Sequence, residues 1–296
     1  MKVKKKVPKR KGIILAGGSG SRLHPLTDVS SKQLLPIYDK PMIYYPLSIL
    51  MMVGIKEILI ISSPEDMPRY KSLLQSGKKW GINFSYKIQN KPNGIAQALL
   101  LGEKFLKSDP CCLILGDNLF HGKDLIRALK KADEDSSNAS VLTYPVKDPE
   151  RFGVLEKKNN KPFRIIEKPK KPKTNRAITG LYFFPKDVSK IAKKLSPSKR
   201  GELEISDLNE IYLKAGKLRV SELRKESVWL DCGTFDSLLK ASNFVSKSQA
   251  KQKNKIACLE EIAFRNKWIS RKQVKEIINV SSSSYGNYLT KVISSK

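Results

Sequence analysis

The residues that most clearly indicate chemistry form a glycine-rich loop near the start of the chain. Residues 12–27 read GIILAGGSGSRLHPLT, so an apolar run leads into three glycines, and Arg22 follows the last of them by two positions. Glycines let backbone N–H groups approach a polyphosphate closely, and an arginine bonds phosphate oxygens in pairs. Lys32 could bring a second charge to the same anion. The pattern predicts an anion-binding loop, with a glycine turn beside surface cations as the alternative.

The spacing of these glycines distinguishes between the known phosphate loops. A P-loop requires a lysine directly after its last glycine, and none follows here. The dinucleotide fingerprint requires a third glycine where this chain has Leu23. The loop is therefore not a P-loop, and a dinucleotide site is disfavoured.

Two aspartates are candidates for binding a metal ion. Asp117 follows the apolar run CCLIL, and Asp231 follows Trp229-Leu230. Carboxylates from distant segments suit Mg²⁺, which prefers hard oxygen ligands and keeps substrate phosphates in its shell. The alternative is capping, since Asp117 could cap the turn before Asn118 and Asp231 could cap a helix near Thr234. The residues alone leave both readings open.

The elements that must position these groups alternate between strands and helices. The apolar runs predict strands over Gly12–Ala16, Glu57–Ser62, Asn83–Ile88, Cys111–Leu115 and Ala139–Val146. The helical patterns between them cover Pro41–Val53, Met67–Gln75, Ile95–Phe105 and Leu125–Asp133. This alternation predicts an α/β fold with a Rossmann-like, mostly parallel sheet flanked by helices. The carboxyl ends of its strands should bring the functional loops to one edge.

The second half of the chain changes in character. Shorter strands are predicted over Phe152–Glu156, Phe163–Glu167 and Ile178–Phe184, as a mixed-sheet extension over the same edge. Helices over Glu204–Ala215 and Phe235–Val245 flank a strand over Leu218–Leu223, and helices over Leu259–Asn266, Arg271–Asn279 and Tyr285–Val292 end the chain. We therefore divide the chain into a solvated basic extension (1–11), a catalytic domain (12–248) and a C-terminal helical segment (249–296).

The composition of the chain limits which kinds of partner and which cellular location are expected. The net charge of +29 suggests nucleic acid, but the 57 basic residues are 45 lysines and 12 arginines spread along the chain, without a recognisable nucleic-acid motif. No apolar run approaches the ~20 residues that span a bilayer. The basic start is followed by too short an apolar stretch for a signal peptide. Cys111, Cys112, Cys232 and Cys258 form no zinc-site spacing and are expected to be reduced thiols in a cytoplasmic protein.

Motifs along the whole chain resemble the sugar-nucleotide pyrophosphorylases, a family of nucleotidyltransferases. The resemblance lies in LAGGSGSRLHPLT and SKQLLP (15–36), KPMIYYPLS (40–48), ILGDN (114–118), RFGV (151–154), EKP (167–169), TGLYFF (179–184), RGELEISDLN (200–209), WLDCGT (229–234) and IAFRN (262–266). The segments are most similar to the branch that transfers a thymidylyl group to glucose 1-phosphate. Gln33 favours that branch over the uridylyl branch.

The resemblance implies a site for each substrate. The residues that it implies for the nucleotide are Leu15, Gly17, Gly18, Gly20, Ser21, Arg22, Gln33, Gln89, Pro92, Gly94 and Asp117. Those that it implies for the sugar phosphate are Asn118, Gly153, Glu167, Lys168, Ile178, Thr179, Gly180, Arg200 and Trp229. Arg22, Lys32, Lys168 and Asp117 are the implied catalytic residues, and Asp117 with Asp231 would hold Mg²⁺.

The implied reaction joins dTTP to glucose 1-phosphate and releases pyrophosphate. The sugar phosphate would attack the α-phosphorus in line, with cations offsetting the repulsion between two anions. A homotetramer inhibited by a dTDP-sugar at a subunit interface is expected, with a role in dTDP-rhamnose and lipopolysaccharide O-antigen synthesis. No specific nucleic acid or membrane partner is expected. The alternatives are a uridylyltransferase and a non-catalytic protein that binds polyanions.

Overall fold

A large mixed sheet with helices packed on both faces dominates the structure, a computed structural model that describes residues 9–18, 20–224, 226–279 and 283–294. Within these ranges the strands, numbered β1 to β13 in chain order, are Lys11–Leu15, Pro36–Ile37, Lys40–Pro41, Glu57–Ser62, Asn83–Ile88, Cys111–Leu115, Asn118–His121, Ala139–Pro145, Gly153–Lys158, Lys161–Glu167, Arg176–Phe184, Leu218–Glu222 and Val228–Asp231.

The helices of the same ranges, α1 to α11, surround the sheet. They are Tyr44–Met52, Met67–Leu74, Gln97–Leu101, Glu103–Leu106, Lys123–Glu134, Val188–Ala192, Ile205–Lys214, Phe235–Gln252, Leu259–Arg265, Arg271–Asn279 and Ser284–Ser294. None of them is both long and apolar enough to cross a lipid bilayer.

The sheet has a parallel half and a mixed half. Its main path runs β10-β9-β11-β6-β1-β4-β5, and β8 joins β11 to β12. β1 is central and pairs in parallel with β4 and β6, while β11 runs antiparallel to β6 and begins the mixed half. The predicted α/β class, with its parallel sheet and mixed extension, is confirmed.

Alternating side chains of the parallel strands enter two different hydrophobic clusters. Ile14 and Ile60 face a cluster that includes residues of α1, α2 and α5. Ile13 and Ile61 face the opposite cluster, with residues of α3, α4 and α7. Both faces of β1 and β4 are therefore buried, which explains why the sequences of these two strands are mostly continuous apolar runs rather than alternating ones.

The ends of the parallel strands meet at one edge, as the alternation predicts. Ala16 N donates to Ile61 O at 2.8 Å, and Gly116 N donates to Leu15 O at 2.9 Å. Gln89 N donates to Ser62 O at 2.8 Å. The glycine loop, the segment after β5 and the segment after β6 are thus tied together by backbone hydrogen bonds.

A second, two-stranded sheet was absent from the sequence prediction. β7 and β13 pair antiparallel, so that Asn118 lies opposite Asp231 in the register. Cys232 N extends this pairing with a hydrogen bond of 3.0 Å to Asp117 O. The pairing joins segments more than 100 residues apart and places the two candidate metal ligands side by side.

Most predicted elements are confirmed with end shifts of up to three residues, but the helix predicted over Phe235–Val245 continues to Gln252, and the helix predicted over Ile95–Phe105 is wrong as one piece. It divides into α3 and α4 at Gly102, where a Cβ would lie 2.9 Å from Ile13 Cδ1 and 3.0 Å from Ala98 O. Glycine is therefore required for close packing at that point, and it also weakens the helix.

The predicted basic extension is wrong at its last two residues. Arg10 and Lys11 are buried, and β1 begins at Lys11. The Arg10 guanidinium donates at 3.0 Å to the carbonyls of both Cys111 and Phe184, and it pairs with Asp133 at 2.9 Å. These two residues fasten the start of β1 to its neighbours; residues 1–8 lie outside the described ranges.

The C-terminal helices join the hydrophobic cluster on one side of the sheet rather than forming a separate core, and α9 packs on α1. Leu259, Val274 and Leu289 belong to the same hydrophobic cluster as Ile14 and Ile60. α8 runs through the predicted boundary at 248/249 without interruption. The described residues of the predicted C-terminal segment form the end of α8 and the helices α9, α10 and α11, joined by short loops.

Arg10→Met should destabilise the protein, because it leaves buried carbonyls without their donor. We expect a loss of about 3 kcal/mol in the free energy of unfolding, measured as a lower urea midpoint. The matched control is Lys9→Met, since Lys9 is exposed. A midpoint for Arg10→Met equal to that of the control would contradict the buried role.

Candidate functional site

The glycine loop leaves β1 through backbone that requires glycine. Gly18 and Gly20 have φ angles of +103° and +62°, a region that other residues adopt only with strain. The loop ends in a short 3-10 turn over Ser21–Leu23, in which Leu23 is buried and Arg22 is exposed. Arg22 therefore extends from a turn that its buried neighbour anchors.

Gln33 lies behind the loop rather than in it. Its amide nitrogen donates to Gly17 O at 3.3 Å, and its oxygen accepts from Ser31 Oγ at 2.6 Å and from Tyr70 OH at 3.2 Å. The side chain is only 2% exposed. Gln33 therefore supports the backbone of Gly17, and its amide atoms are already used within the protein.

Gln89 borders the loop on another side and is buried. A Cβ on Gly17 would lie 2.4 Å from Gln89 Oε1, so only glycine permits this approach. The nitrogen of the same amide donates to Gln97 Oε1 at 2.7 Å. The sequence alone would have left Gln89 as an exposed polar residue, and the structure instead places its buried amide against the glycine loop.

The rest of the implied base loop is more open. Pro92 is exposed. Gly94 has φ +99°, and a Cβ there would lie 2.4 Å from Leu203 O. Leu203 pairs with the backbone on both sides of this glycine, accepting from Ala96 N at 3.2 Å and donating to Asn93 O at 2.8 Å. The loop is thus fastened to the segment that precedes α7.

Asp117 lies at the end of β6 and forms a buried ion pair with Lys32. The two side chains are each 12% exposed. Burial lowers the pKa of Lys32, but the Asp117 carboxylate outweighs burial and holds that pKa above its ordinary value. Burial likewise raises the pKa of Asp117, yet Lys32 and a hydrogen bond from Asn118 together hold it below its ordinary value. Both groups are therefore charged at neutral pH.

Asn118 connects Asp117 to the rest of the site. Its nitrogen donates to Asp117 Oδ1 at 2.8 Å, while its oxygen accepts from Trp229 Nε1 at 2.6 Å and from Gly180 N at 3.1 Å. The Trp229 ring packs against Phe152 with ring centroids 5.2 Å apart. The polar atoms of Asn118 and Trp229, both implied at the sugar, are here used to hold Asp117.

Asp231 ends β13 among three cations. Arg151 Nη2 lies 3.6 Å from its Oδ2. A Cβ on Gly233 would lie 3.0 Å from Arg22 Nη2 and 3.2 Å from Asp231 Oδ1, so these two groups flank the glycine. Burial, and then the Asp117 charge, raise the pKa of Asp231 to about 6 despite Lys32, Arg22 and Arg151.

The capping alternative for Asp231 is excluded. α8 is capped by Thr234, whose side chain accepts from Ser237 N at 3.3 Å, and Ser237 Oγ accepts from Thr234 N at 2.9 Å. This reciprocal capping box begins the helix without Asp231. The carboxylate of Asp231 is therefore left for the site.

The two aspartates fit a magnesium ion that also binds substrate. Asp231 ends β13 and Asp117 directly precedes β7, its partner strand, so the mostly buried carboxylate of Asp231 lies near a second negative charge. In the described part of the chain no group of three or more His, Cys, Asp or Glu side chains could hold a metal on its own. Mg²⁺ commonly takes one or two protein carboxylates and completes its shell with phosphate oxygens and water.

A second group of implied residues gathers around Glu167, at the end of β10. Glu167 accepts from Ser206 Oγ at 2.6 Å, and Gly153 leaves room for both side chains. Burial raises the pKa of Glu167 above its ordinary value. Lys168 follows with φ +42°; its N–H donates to Phe152 O at 3.0 Å, and its side chain is 45% exposed. Its ammonium lies 3.9 Å from Glu167 Oε1 and is partly exposed, so an incoming anion can reach it.

Arg200 lies in the same group but is bound by carboxylates. Its Nη2 lies 2.8 Å from Glu204 Oε2, 3.2 Å from Glu202 and 3.6 Å from Glu167. The hydrogen bond to Glu204 is the main cause that raises the pKa of Arg200. Any phosphate that binds Arg200 must share it with Glu204 or replace that contact.

Ile178, Thr179 and Gly180 lie on β11 between the two groups. Ile178 is 6% exposed and Thr179 is fully buried. Within the described residues, the hydroxyl of Thr179 has no hydrogen-bond partner. Since Gly180 N bonds Asn118, this strand links the sugar side to Asp117.

Sequence reasoning missed four contributors to the site. Gln97 holds Gln89, Arg151 lies beside Asp231, Glu204 binds Arg200, and Tyr70 bonds Gln33. Arg151 and Glu204 lie inside the motifs RFGV and RGELEI, which was the one available signal. Gln97 and Tyr70 lie in ordinary helical patterns, so nothing in the sequence distinguished them.

Asp231→Asn should stabilise the protein in metal-free buffer at neutral pH. An aspartate of ordinary pKa 3.8 that ionises near 6 when folded contributes stability below pH 3.8 and loses it as the pH rises through 6. Asparagine has no such loss, so we expect the variant to be more stable by about 2 to 3 kcal/mol at pH 7.5. The measurement is the urea midpoint at pH 4 and pH 7.5 with EDTA.

The control for this comparison is Glu65→Gln, at an exposed carboxylate. Its effect should be small and should not follow the same pH course. An Asp231→Asn variant that is no more stable than the unmodified chain at pH 7.5 would argue against an uncompensated carboxylate at this position.

Known proteins resemble this chain over nearly its full length. The nucleotidyl transferase family matches residues 11–248. A glucose-1-phosphate thymidylyltransferase of Neisseria meningitidis is 51% identical over 96% of this chain and 99% of its own. One from Mycolicibacterium smegmatis is 46% identical over the same shares of the two chains.

Solved structures agree with these relatives. A putative glucose-1-phosphate thymidylyltransferase of Bacillus anthracis, in complex with a sucrose, is 45% identical, with a TM-score of 0.74 over 79% of this chain and 94% of that one. A UDP-glucose pyrophosphorylase complexed with UDP-glucose is 25% identical, with a TM-score of 0.68 over 81% and 99%. The chain belongs to the nucleotidyl transferase family, as a nucleotidyltransferase among the glucose-1-phosphate thymidylyltransferases.

Proposed function

We propose that this protein transfers a thymidylyl group from dTTP to α-D-glucose 1-phosphate, giving dTDP-glucose and pyrophosphate. The observation that carries the proposal is the match, at about half identity over nearly the whole chain, to enzymes named for that reaction. The geometry supports it, because one sheet edge holds a glycine loop, a buried glutamine amide and two carboxylates among cations.

The nucleotide lies along the glycine loop, with its triphosphate toward Arg22 and Lys32. The positive φ angles of Gly18 and Gly20, which glycine adopts without strain, let backbone N–H groups face the phosphates, and Arg22 extends from the following turn. Lys32 holds its charge at neutral pH because Asp117 faces it. Each charge-assisted bond to a phosphate contributes about 1.5 to 3 kcal/mol, although such contributions do not add simply.

Gln89 reads the base through its oxygen. One hydrogen of the amide nitrogen is directed to Gln97 and the amide oxygen lies beside the glycine loop, so the atom that faces a ligand there is an acceptor. Thymine offers an N3–H donor, which suits such an acceptor. Uracil offers the same donor, so the preference for thymine over uracil depends on other contacts.

The sugar phosphate lies on the other side of Asp117, near Lys168 and Arg200. Glu167 and the strand around Thr179 face the sugar hydroxyls. The phosphate group of glucose 1-phosphate is already ionised near neutral pH, so one of its oxygens attacks the α-phosphorus of dTTP without a general base. A new P–O bond forms as the bond to the β-phosphate breaks, and the electron pair leaves with pyrophosphate.

Asp117 and Asp231 are the residues that would hold Mg²⁺. When bound, the ion neutralises phosphate charge and stabilises the negative charge of the transition state. The chain's own part is to hold the two carboxylates side by side, which Asn118 and the β7–β13 pairing accomplish.

The wider expectations for the family stay predictions for this chain. They are a cytoplasmic location, a homotetramer, feedback inhibition by a dTDP-sugar between subunits, and supply of dTDP-glucose to dTDP-rhamnose and O-antigen synthesis. Size measurement in solution and inhibition by dTDP-sugars are the corresponding measurements.

Pyrophosphate release tests the proposal. Purified protein with Mg²⁺, dTTP and glucose 1-phosphate should release pyrophosphate, and EDTA should abolish the release. Release with UTP but not with dTTP would replace the proposal with the uridylyl reaction, which the likeness to UDP-glucose pyrophosphorylase favours as the second candidate. No release with any nucleotide, together with submicromolar nucleic-acid binding at physiological salt, would indicate a binding protein.

Asp117→Asn and Asp231→Asn should each remove most turnover while the protein remains folded. The loss of one ligand from a phosphate-bound metal should lower kcat by about 100-fold or more. Circular dichroism checks the fold, and Glu65→Gln serves as the exposed control. A rate near that of the unmodified chain in either variant would remove that aspartate from the metal site.

A further inference from the structure

Gln97, the first residue of α3, lies behind the base-reading glutamine and contacts it directly. Gln89 Nε2 donates to Gln97 Oε1 at 2.7 Å. The same oxygen accepts from the backbone N–H of Asn93 at 3.1 Å. Asn93 N is shared, since it also donates to Lys91 O at 3.0 Å. Gln97 is therefore bonded both to Gln89 and to the backbone of the base loop.

These two bonds determine which way each amide faces. A backbone N–H can only donate, so the atom of Gln97 that meets Asn93 N must be its oxygen. The atom of Gln89 that meets this oxygen must then be its NH₂ group. A flipped Gln89 would set its oxygen against the oxygen of Gln97, which keeps its bond from Asn93 N, and would leave the Gln89 oxygen without a donor there.

The orientation of Gln89 in turn decides what it offers to a ligand. Its oxygen lies beside the glycine loop, 2.4 Å from where a Cβ of Gly17 would be. The side chain is only 5% exposed, and its backbone is held by Ser62 O at 2.8 Å. The site therefore presents an acceptor at a nearly fixed place.

An acceptor at this place separates two classes of pyrimidine. Thymine and uracil carry a proton on N3 and can donate to it. Cytosine has an unprotonated N3 and would meet the acceptor with another acceptor. A flipped glutamine would instead present NH₂ and favour cytosine.

We propose that Gln97 is a positioning residue that selects for 4-oxo pyrimidine nucleotides over 4-amino ones by fixing the amide orientation of Gln89. The inference rests on the proposed function, because it assumes that the base lies against Gln89. The observation that supports the inference is the pair of hydrogen bonds that Gln97 Oε1 accepts, one from Asn93 N and one from Gln89 Nε2. Gln97 affects the base only through Gln89.

Two substitutions distinguish positioning of Gln89 through these hydrogen bonds from simple packing against it. Gln97→Met keeps the length of the side chain but has no strong acceptor. Gln97→Glu keeps an acceptor toward both Asn93 N and Gln89 Nε2. Dissociation constants for dTTP and dCTP are measured by calorimetry without sugar phosphate, and kcat and KM are measured with glucose 1-phosphate.

The Met variant should lower the preference for dTTP over dCTP by about tenfold, whereas the Glu variant should retain it. In the Met variant KM for dTTP should rise, while kcat at saturating dTTP stays within about twofold and KM for glucose 1-phosphate is unchanged. Gln89→Ala should lose the same preference. Gln252→Met, at an exposed glutamine in α8, is the matched control.

Three outcomes would overturn the proposal. They are an unchanged dTTP-to-dCTP ratio in Gln97→Met, an equal loss in the Met and Glu variants, or no preference for dTTP over dCTP in the unmodified chain. Failure of the proposed function gives a different result. The unmodified chain would then release no pyrophosphate from dTTP and glucose 1-phosphate, while the binding ratios would still report on Gln97.

Discussion

The hydrogen bonds of the Asn118 side chain are the interaction on which the site depends. Its oxygen is held by Trp229 Nε1 on β13 and by Gly180 N on β11, and its nitrogen holds Asp117. One buried amide thus joins three strands and orients the carboxylate next to it. Since each partner is itself packed in the core, the position of Asp117 depends on the fold as a whole rather than on a loop.

The charges around this amide show how the fold accommodates a site for two anions. In the structure the main cations lie against carboxylates: Lys32 against Asp117, Arg151 against Asp231, and Arg200 against Glu204. Each of these cations therefore has a carboxylate partner in the folded chain. Under the proposed function, phosphates would compete with these carboxylates for the cations.

The sequence predicted the parallel half of the fold well, mainly because β1, β4 and β6 are buried on both faces and are nearly continuous apolar runs. β4, β5 and β6 have the predicted ends. It missed β7 and β13, whose four residues each carry little pattern and pair across more than 100 positions. Local patterns also could not show that Gly102 would divide a helix. Nor could they show that Arg10 would donate hydrogen bonds to buried carbonyls of distant strands.

The same limit of local sequence patterns applies to the candidate site. Residue types and motifs identified the glycine loop, Lys32 and the two aspartates, because their chemistry is carried by short segments. They could not assign the direction of a side-chain amide.

Gln33 and Gln89 both contact Gly17, but in opposite senses. Gln33 donates to the Gly17 carbonyl through its nitrogen, whereas Gln89 faces the loop with its oxygen. That difference comes from their partners, Ser31 and Tyr70 in one case and Gln97 in the other. The direction of each amide thus depends in part on residues outside the motifs, which explains why short motifs indicate a reaction more readily than they indicate which nucleotide it uses.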